Sequence, residues 1–173
     1  DVGSFVVYSD GEPLIIDPAV GEYTSKTFSN RRYEIWTMQS QYHNLPQING
    51  ADQRDGKQFA AANAKYKKGS LSLDITGAYP AEADVKRWMR TVSISKGGIV
   101  TVNEDYELSK SQGATKLMLI TIAKPELAAK GVIKIGNRSI EYNANQLDVA
   151  VEPISDKLDP LLQRIWGKEM YRI

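Results

Sequence analysis

Trp88-Met89-Arg90-Thr91-Val92-Ser93-Ile94-Ser95 runs through Lys96-Gly97-Gly98 into Ile99-Val100-Thr101-Val102. The first arm alternates in character, as a strand with one buried face does. Gly-Gly accepts the positive φ angles of a tight turn, and the second arm returns from it, so the stretch reads as a β-hairpin. The same grammar recurs in both directions. Leu71, Leu73 and Ile75 alternate with Ser70, Ser72, Asp74 and Thr76. Phe5–Tyr8 and Leu14–Ile16 flank Asp10-Gly11, and Val132–Ile135 and Ser139–Tyr142 flank Gly136-Asn137. Leu117–Ile122 is apolar on both faces and reads as a central strand. Leu147–Val151 and Ile165–Ile173 read as further strands.

Helical signals are short. Glu126–Lys130 suits one or two turns, and Asp159-Pro160-Leu161-Leu162 offers a capping residue followed by proline at the first helical position. No periodic segment reaches the roughly 10–12 residues of a well-defined helix. Many short strands with turn punctuation predict an all-β fold, an antiparallel two-sheet β-sandwich with few short helices. No repeat, low-complexity tract or linker divides the chain, so one domain over residues 1–173 is expected.

Composition narrows the function classes. Across 173 residues, 42% are hydrophobic and 25% charged, which is ordinary for a globular domain. The net charge of +1 creates no broad field, so binding to nucleic acid or a membrane is not expected, and a polyanion would need a local cluster of cations. The absence of cysteine excludes disulfides, zinc–thiolate sites and thiol nucleophiles. No apolar run approaches the roughly 20 residues of a membrane-spanning helix. The chain opens directly on strand-like Asp1-Val2-Gly3-Ser4-Phe5-Val6-Val7-Tyr8, and the expectation is a piece of a longer parent.

Residues 18–50 break the strand rhythm. They are rich in aromatic and polar residues and contain the only histidine of the chain. Long irregular segments in compact domains tend to be functional. Asp17 closes the apolar run Leu14-Ile15-Ile16, and His43 follows 26 positions later. A carboxylate and an imidazole suit zinc, which normally takes at least three protein ligands. Equally, Asp17 before Pro18 suits a turn, and His43 suits a hydrogen-bonded loop position. Tyr33 follows Arg31-Arg32. A tyrosine beside guanidinium groups is a candidate for proton transfer, and guanidinium groups attract carboxylates. The alternative is that Tyr33 and Trp36 pack.

Asp1-Val2-Gly3-Ser4-Phe5 with Tyr8 and Asp10-Gly11-Glu12-Pro13-Leu14-Ile15-Ile16-Asp17 resembles the opening of the C-terminal sandwich of heparinase II/III-like proteins. Arg32-Tyr33-Glu34-Ile35-Trp36-Thr37-Met38-Gln39-Ser40, Tyr42-His43-Asn44-Leu45-Pro46 and Ile48-Asn49-Gly50 strengthen the likeness, on the side of the alginate-lyase-like branch. Trp88-Met89-Arg90 with Gly97-Gly98, and Trp166-Gly167, extend it. The resemblance implies an N-terminal α/α-toroid in the parent chain and cleavage of uronate-containing polysaccharides, heparan sulfate-like or alginate-like, by β-elimination. It implies a structural zinc held by two histidines and an aspartate, with Asp17 and His43 at two of these positions and the other histidine just upstream of Asp1. It also implies that the toroid supplies the carboxylate-neutralising Asn and His and one catalytic Tyr. Tyr33 is then the candidate for a second tyrosine lining the cleft, and Arg31 or Arg32 for holding the substrate carboxylate. The isolated domain is expected to be inactive, and a periplasmic or secreted location goes with such a parent. The competing expectation is a non-catalytic carbohydrate-binding or scaffolding sandwich using Trp36, Trp88 and Trp166. The lyase reading expects Tyr33, Asp17 and His43 to converge on one end of the sandwich, near where the N-terminus enters; the binding-module reading expects exposed tryptophans along a sheet face and no carboxylate near His43.

Overall fold

The computed structural model describes all residues, 1–173. In chain order the strands are β1 (Val7–Ser9), β2 (Glu12–Ile15), β3 (Pro46–Gln47), β4 (Ala62–Lys67), β5 (Ser70–Asp74), β6 (Val85–Ile94), β7 (Val100–Leu108), β8 (Lys116–Leu117), β9 (Ile120–Thr121), β10 (Pro125–Ala129), β11 (Val132–Ile135), β12 (Arg138–Glu141), β13 (Glu152–Pro153) and β14 (Tyr171–Arg172). The one α-helix, α1, is Pro160–Trp166. Every strand pair is antiparallel. The chain is all-β and sandwich-like in class, with few short helices, as the turn-punctuated pattern predicts. No helix is long and apolar enough to cross a membrane.

Residues 1–4 and 45–117 form one compact unit; residues 5–44 and 118–173 form a second. In the first unit, β4-β5-β6-β7 make a four-stranded sheet and β3 pairs with β8. Its core gathers Ile48, Leu73, Ile75, Ala78, Tyr79, Ala83 and Trp88. Arg90 is buried on the same face of β6 as Trp88, because successive side chains alternate. Its guanidinium reaches Glu104 Oε1 (2.7 Å from Nε) and donates to the Gly3 carbonyl (2.8 Å). Trp88 Nε1 donates to Glu104 Oε2 at 2.5 Å. Gly3 adopts φ +89°, and a Cβ there would press on Ile75 at 3.2 Å, so glycine lets the N-terminal segment lie against the sheet. Asn49, in the turn between Ile48 and Ala51, accepts from the backbone N–H groups of Gln112 and Gly113 and donates to the carbonyls of Ala83 and Lys110.

The second unit contains β1-β2, β10-β11-β12 and β13-β14-β9. Ile15 belongs to a cluster with Ile133 and Ile135. Ile16 belongs to another, with Tyr42, Ile120, Ile154, Leu158, Leu162 and Met170. Adjacent residues on an extended chain face opposite ways, which is why Leu14-Ile15-Ile16 is apolar throughout.

Several local expectations are corrected. Leu117–Ile122 is not one strand: its first residue pairs in the first unit, through β8, and Ile120–Thr121 pair in the second, through β9. Glu126–Lys130 is not helical, because pairing with β11 overrides the helix propensity of Glu-Leu-Ala-Ala. Leu147–Val151 forms no strand. Within Ile165–Ile173 only Tyr171–Arg172 is a strand, and α1 runs through Trp166. Asp159 caps that helix, its carboxylate accepting from the Leu162 N–H.

Glu104→Gln removes the buried carboxylate that pairs with Arg90. Unfolding in urea, followed by tryptophan fluorescence, is expected to show a loss of about 3–5 kcal/mol. Arg90→Met combined with Glu104→Gln, which keeps an acceptor for Trp88 Nε1, is expected to recover most of it; a double variant as weak as the single one contradicts this.

Candidate functional site

The irregular segment has an order of its own. Three 3-10 turns follow one another, Arg32–Glu34, Trp36–Met38 and Ser40–Tyr42. Each ends on an extended residue whose N–H closes the turn: Ile35 on Arg32, Gln39 on Trp36, His43 on Ser40. The spacing of four carries the chain stepwise to His43. Tyr42 anchors the last step. Its ring packs edge-on against Trp36 at 5.2 Å and lies beneath the Arg172 guanidinium, 4.9 Å from its centroid. Arg172 in turn donates to the Gln41 carbonyl and pairs with Glu152.

His43 is buried and meets Asp17. Its Nδ1 lies 2.8 Å from Asp17 Oδ2, and its Nε2 lies 3.1 Å from the Thr37 carbonyl oxygen. Asp17 Oδ1 also accepts from the Ala19 N–H, so the aspartate shapes the turn and faces the histidine at once. Both ring nitrogens therefore point at acceptors, whereas a neutral imidazole has only one N–H. At 2.8 Å the Nδ1–Oδ2 contact is a direct hydrogen bond, too short for a cation between the two atoms. The residue types fit two ligands of the zinc that the resemblance implies, but Asp17 and His43 would have to part slightly to hold it, with the Thr37 carbonyl as the outer partner of the imidazole. No group of three histidine, aspartate or glutamate side chains is assembled, so these residues do not form a complete zinc site by themselves.

Asn44, next to His43, is fully buried. Its Nδ2 donates to the Phe5 and Ile16 carbonyls at 2.7 and 2.8 Å, and its Oδ1 accepts from the Ile120 N–H at 2.8 Å. Ile16 N–H also donates to the Ile120 carbonyl at 2.9 Å. The side-chain amide thus extends the bonding between these two segments as a peptide group would. Thr37 and Asn44 are the site residues that sequence reading passes over. Thr37 acts through a backbone carbonyl, which leaves no mark in the sequence. Asn44 stands in a quoted motif, but its role depends on segments distant along the chain. Thr37 Oγ1 and Ser40 Oγ, in the same run of turns, are buried without hydrogen-bond partners.

Tyr33 lies upstream in the same run and is 44% exposed. Arg32 stands over its ring at 5.5 Å and donates to Met38 Sδ at 3.4 Å. Arg31 turns to Glu34 in a two-pronged bond of 2.8 and 2.9 Å, and Lys26 joins the same carboxylate at 2.7 Å. Of the two arginines, Arg32 is the one that sits against Tyr33. The paired cations hold the Glu34 carboxyl down at about 2, with the Arg31 hydrogen bond as the largest cause. The tryptophans do not form an exposed platform: Trp88 is 0% exposed, and Trp36 and Trp166 are half-buried.

No protein-family model matches the chain, and no curated protein sequence matches it significantly.

Because the folded value of Glu34 is depressed, its ion pairs are intact above the ordinary carboxylate range and are lost as pH falls through about 2. Carboxyl-carbon NMR is expected to place the Glu34 midpoint near that value, with Arg31→Ala moving it upward. A midpoint unchanged by Arg31→Ala contradicts the pairing.

Proposed function

We infer that this chain is the C-terminal β domain of a heparinase II/III-like polysaccharide lyase acting on uronate-containing glycans. The observation that carries the reading is the Asp17–His43 contact at 2.8 Å, with the far side of the imidazole on the Thr37 carbonyl. Residues 26 positions apart meet in a direct hydrogen bond, and a carboxylate and an imidazole are residue types that hold zinc. The competing binding-module reading calls for exposed tryptophans and for no carboxylate at His43, and neither condition holds.

In β-elimination the C5–H bond breaks, its electron pair forms the C4=C5 double bond, and the C4–O glycosidic bond breaks. The developing charge beside the uronate carboxylate must be neutralised. A proton must leave C5 and another must reach the departing oxygen. On this reading the neutralising groups belong to an α/α-toroid of the parent chain. Tyr33, exposed beside Arg32, contributes a phenol for proton transfer, and Arg32 is placed to attract the substrate carboxylate. Asp17 and His43 would hold a structural zinc together with the further histidine that the resemblance implies, and such a metal would lend rigidity to the loop carrying Tyr33. Polymeric uronates are met outside the cytoplasm, which favours a periplasmic or secreted parent.

The test is release of unsaturated uronate, read by absorbance, from alginate and from heparan sulfate. The protein carrying both toroid and this chain is expected to turn over one of them, and the chain alone neither. Tyr33→Phe in the longer protein should lower kcat by about 10²–10⁴-fold. Clear turnover by the chain alone, or full activity of Tyr33→Phe, contradicts the assignment.

A further inference from the structure

A groove of about 320 Å³ lies between the loop leaving Asp17 and helix α1, walled by Val20, Glu22, Tyr23, Leu161 and Arg164. That volume is at the low end of small-molecule sites, roughly 300–1,000 Å³. The groove lies wholly within the second unit.

Its frame is built. Asp159, the cap of α1, uses its second carboxylate oxygen to accept from the Glu22 N–H at 2.8 Å. At the other end of α1, Trp166 Nε1 donates to the Pro18 carbonyl at 3.2 Å. The loop is therefore tied to both ends of the helix. Gly21 permits the first tie, since a Cβ there would run into the Asp159 carboxylate.

Its walls remain unspent. Tyr23 is 71% exposed and Phe28, edge-on to it at 5.3 Å, is 84% exposed. The exposed pair offers a flat apolar face to solvent. Arg164 is exposed and, unlike Arg31, Arg54, Arg87, Arg90, Arg138 and Arg172, forms no ion pair. The Glu22 side chain is exposed on the same wall. An aromatic face suits the C–H face of a sugar ring, a guanidinium suits a carboxylate, and a carboxylate accepts from hydroxyls.

We propose that this groove is a binding subsite for one uronate residue of a polysaccharide, with Tyr23 stacking on the ring and Arg164 pairing with the carboxylate. The proposal rests on the uronate reading above and adds a subsite apart from Tyr33 and the Asp17–His43 pair. Both residues are exposed, so replacing them leaves the core intact.

Calorimetric titration of the chain with trimannuronate tests it, with mannotriose as the neutral control and circular dichroism confirming that each variant is folded. Trimannuronate is expected to bind, and mannotriose at least about tenfold more weakly, as loss of a charge-assisted pair dictates. Arg164→Gln should weaken trimannuronate about tenfold and leave mannotriose unchanged, whereas Tyr23→Ala should weaken both. Trimannuronate binding that neither variant alters overturns the subsite and leaves the uronate reading standing. No binding of trimannuronate to the unaltered chain at millimolar concentration also overturns the subsite, whereas the uronate reading stands or falls on the turnover assay.

Discussion

The carboxamide of Asn44 is the constraint on which the site depends. Ile16 and Ile120 already share one backbone bond, and Asn44 satisfies the other groups these residues present, with Phe5 as a further acceptor. Leaving buried peptide groups unpaired costs about 1–3 kcal/mol each, so the arrangement is held firmly. Its consequence is local registration. Ile16 and Asn44 are fixed together, and their chain neighbours Asp17 and His43 are brought face to face. The carboxylate–imidazole contact is thus set by the fold rather than by the mutual attraction of two loop residues.

The run of 3-10 turns serves the same end from the other side. It delivers the Thr37 carbonyl to His43 Nε2 and leaves Nδ1 directed at Asp17. Upstream, the charges sort themselves. Glu34 absorbs Lys26 and Arg31, and Arg32 remains beside Tyr33. One phenol and one guanidinium are presented to solvent on a frame anchored by Tyr42 and Arg172.

Much of the fold was legible because its signals are local. Asp10-Gly11, Gly97-Gly98 and Gly136-Asn137 each join a strand pair in the structure, since turn chemistry depends on the residues in the turn. Asp159-Pro160 announced α1 for the same reason. What failed was decided at long range. Ala62–Lys67 is a strand in which Tyr66 is the one strand-favouring residue among Ala, Asn and Lys, and its pairing with β5 makes it extended. Glu126–Lys130 is extended for the same kind of reason. At the candidate site, residue type drew notice to Asp17, His43 and Tyr33, and only the resemblance gave them roles. The choice between Arg31 and Arg32 awaited the position of Glu34, and the roles of Thr37 and Asn44 awaited the folded backbone.

The account turns on whether Asp17 and His43 are joined by a metal. Anomalous diffraction at the zinc edge, from crystals of a protein containing this chain grown with zinc, addresses that directly. A single peak within coordination distance of both Asp17 and His43, the two having parted from their direct contact, is the predicted result. No peak at this pair, or zinc bound elsewhere, would contradict it.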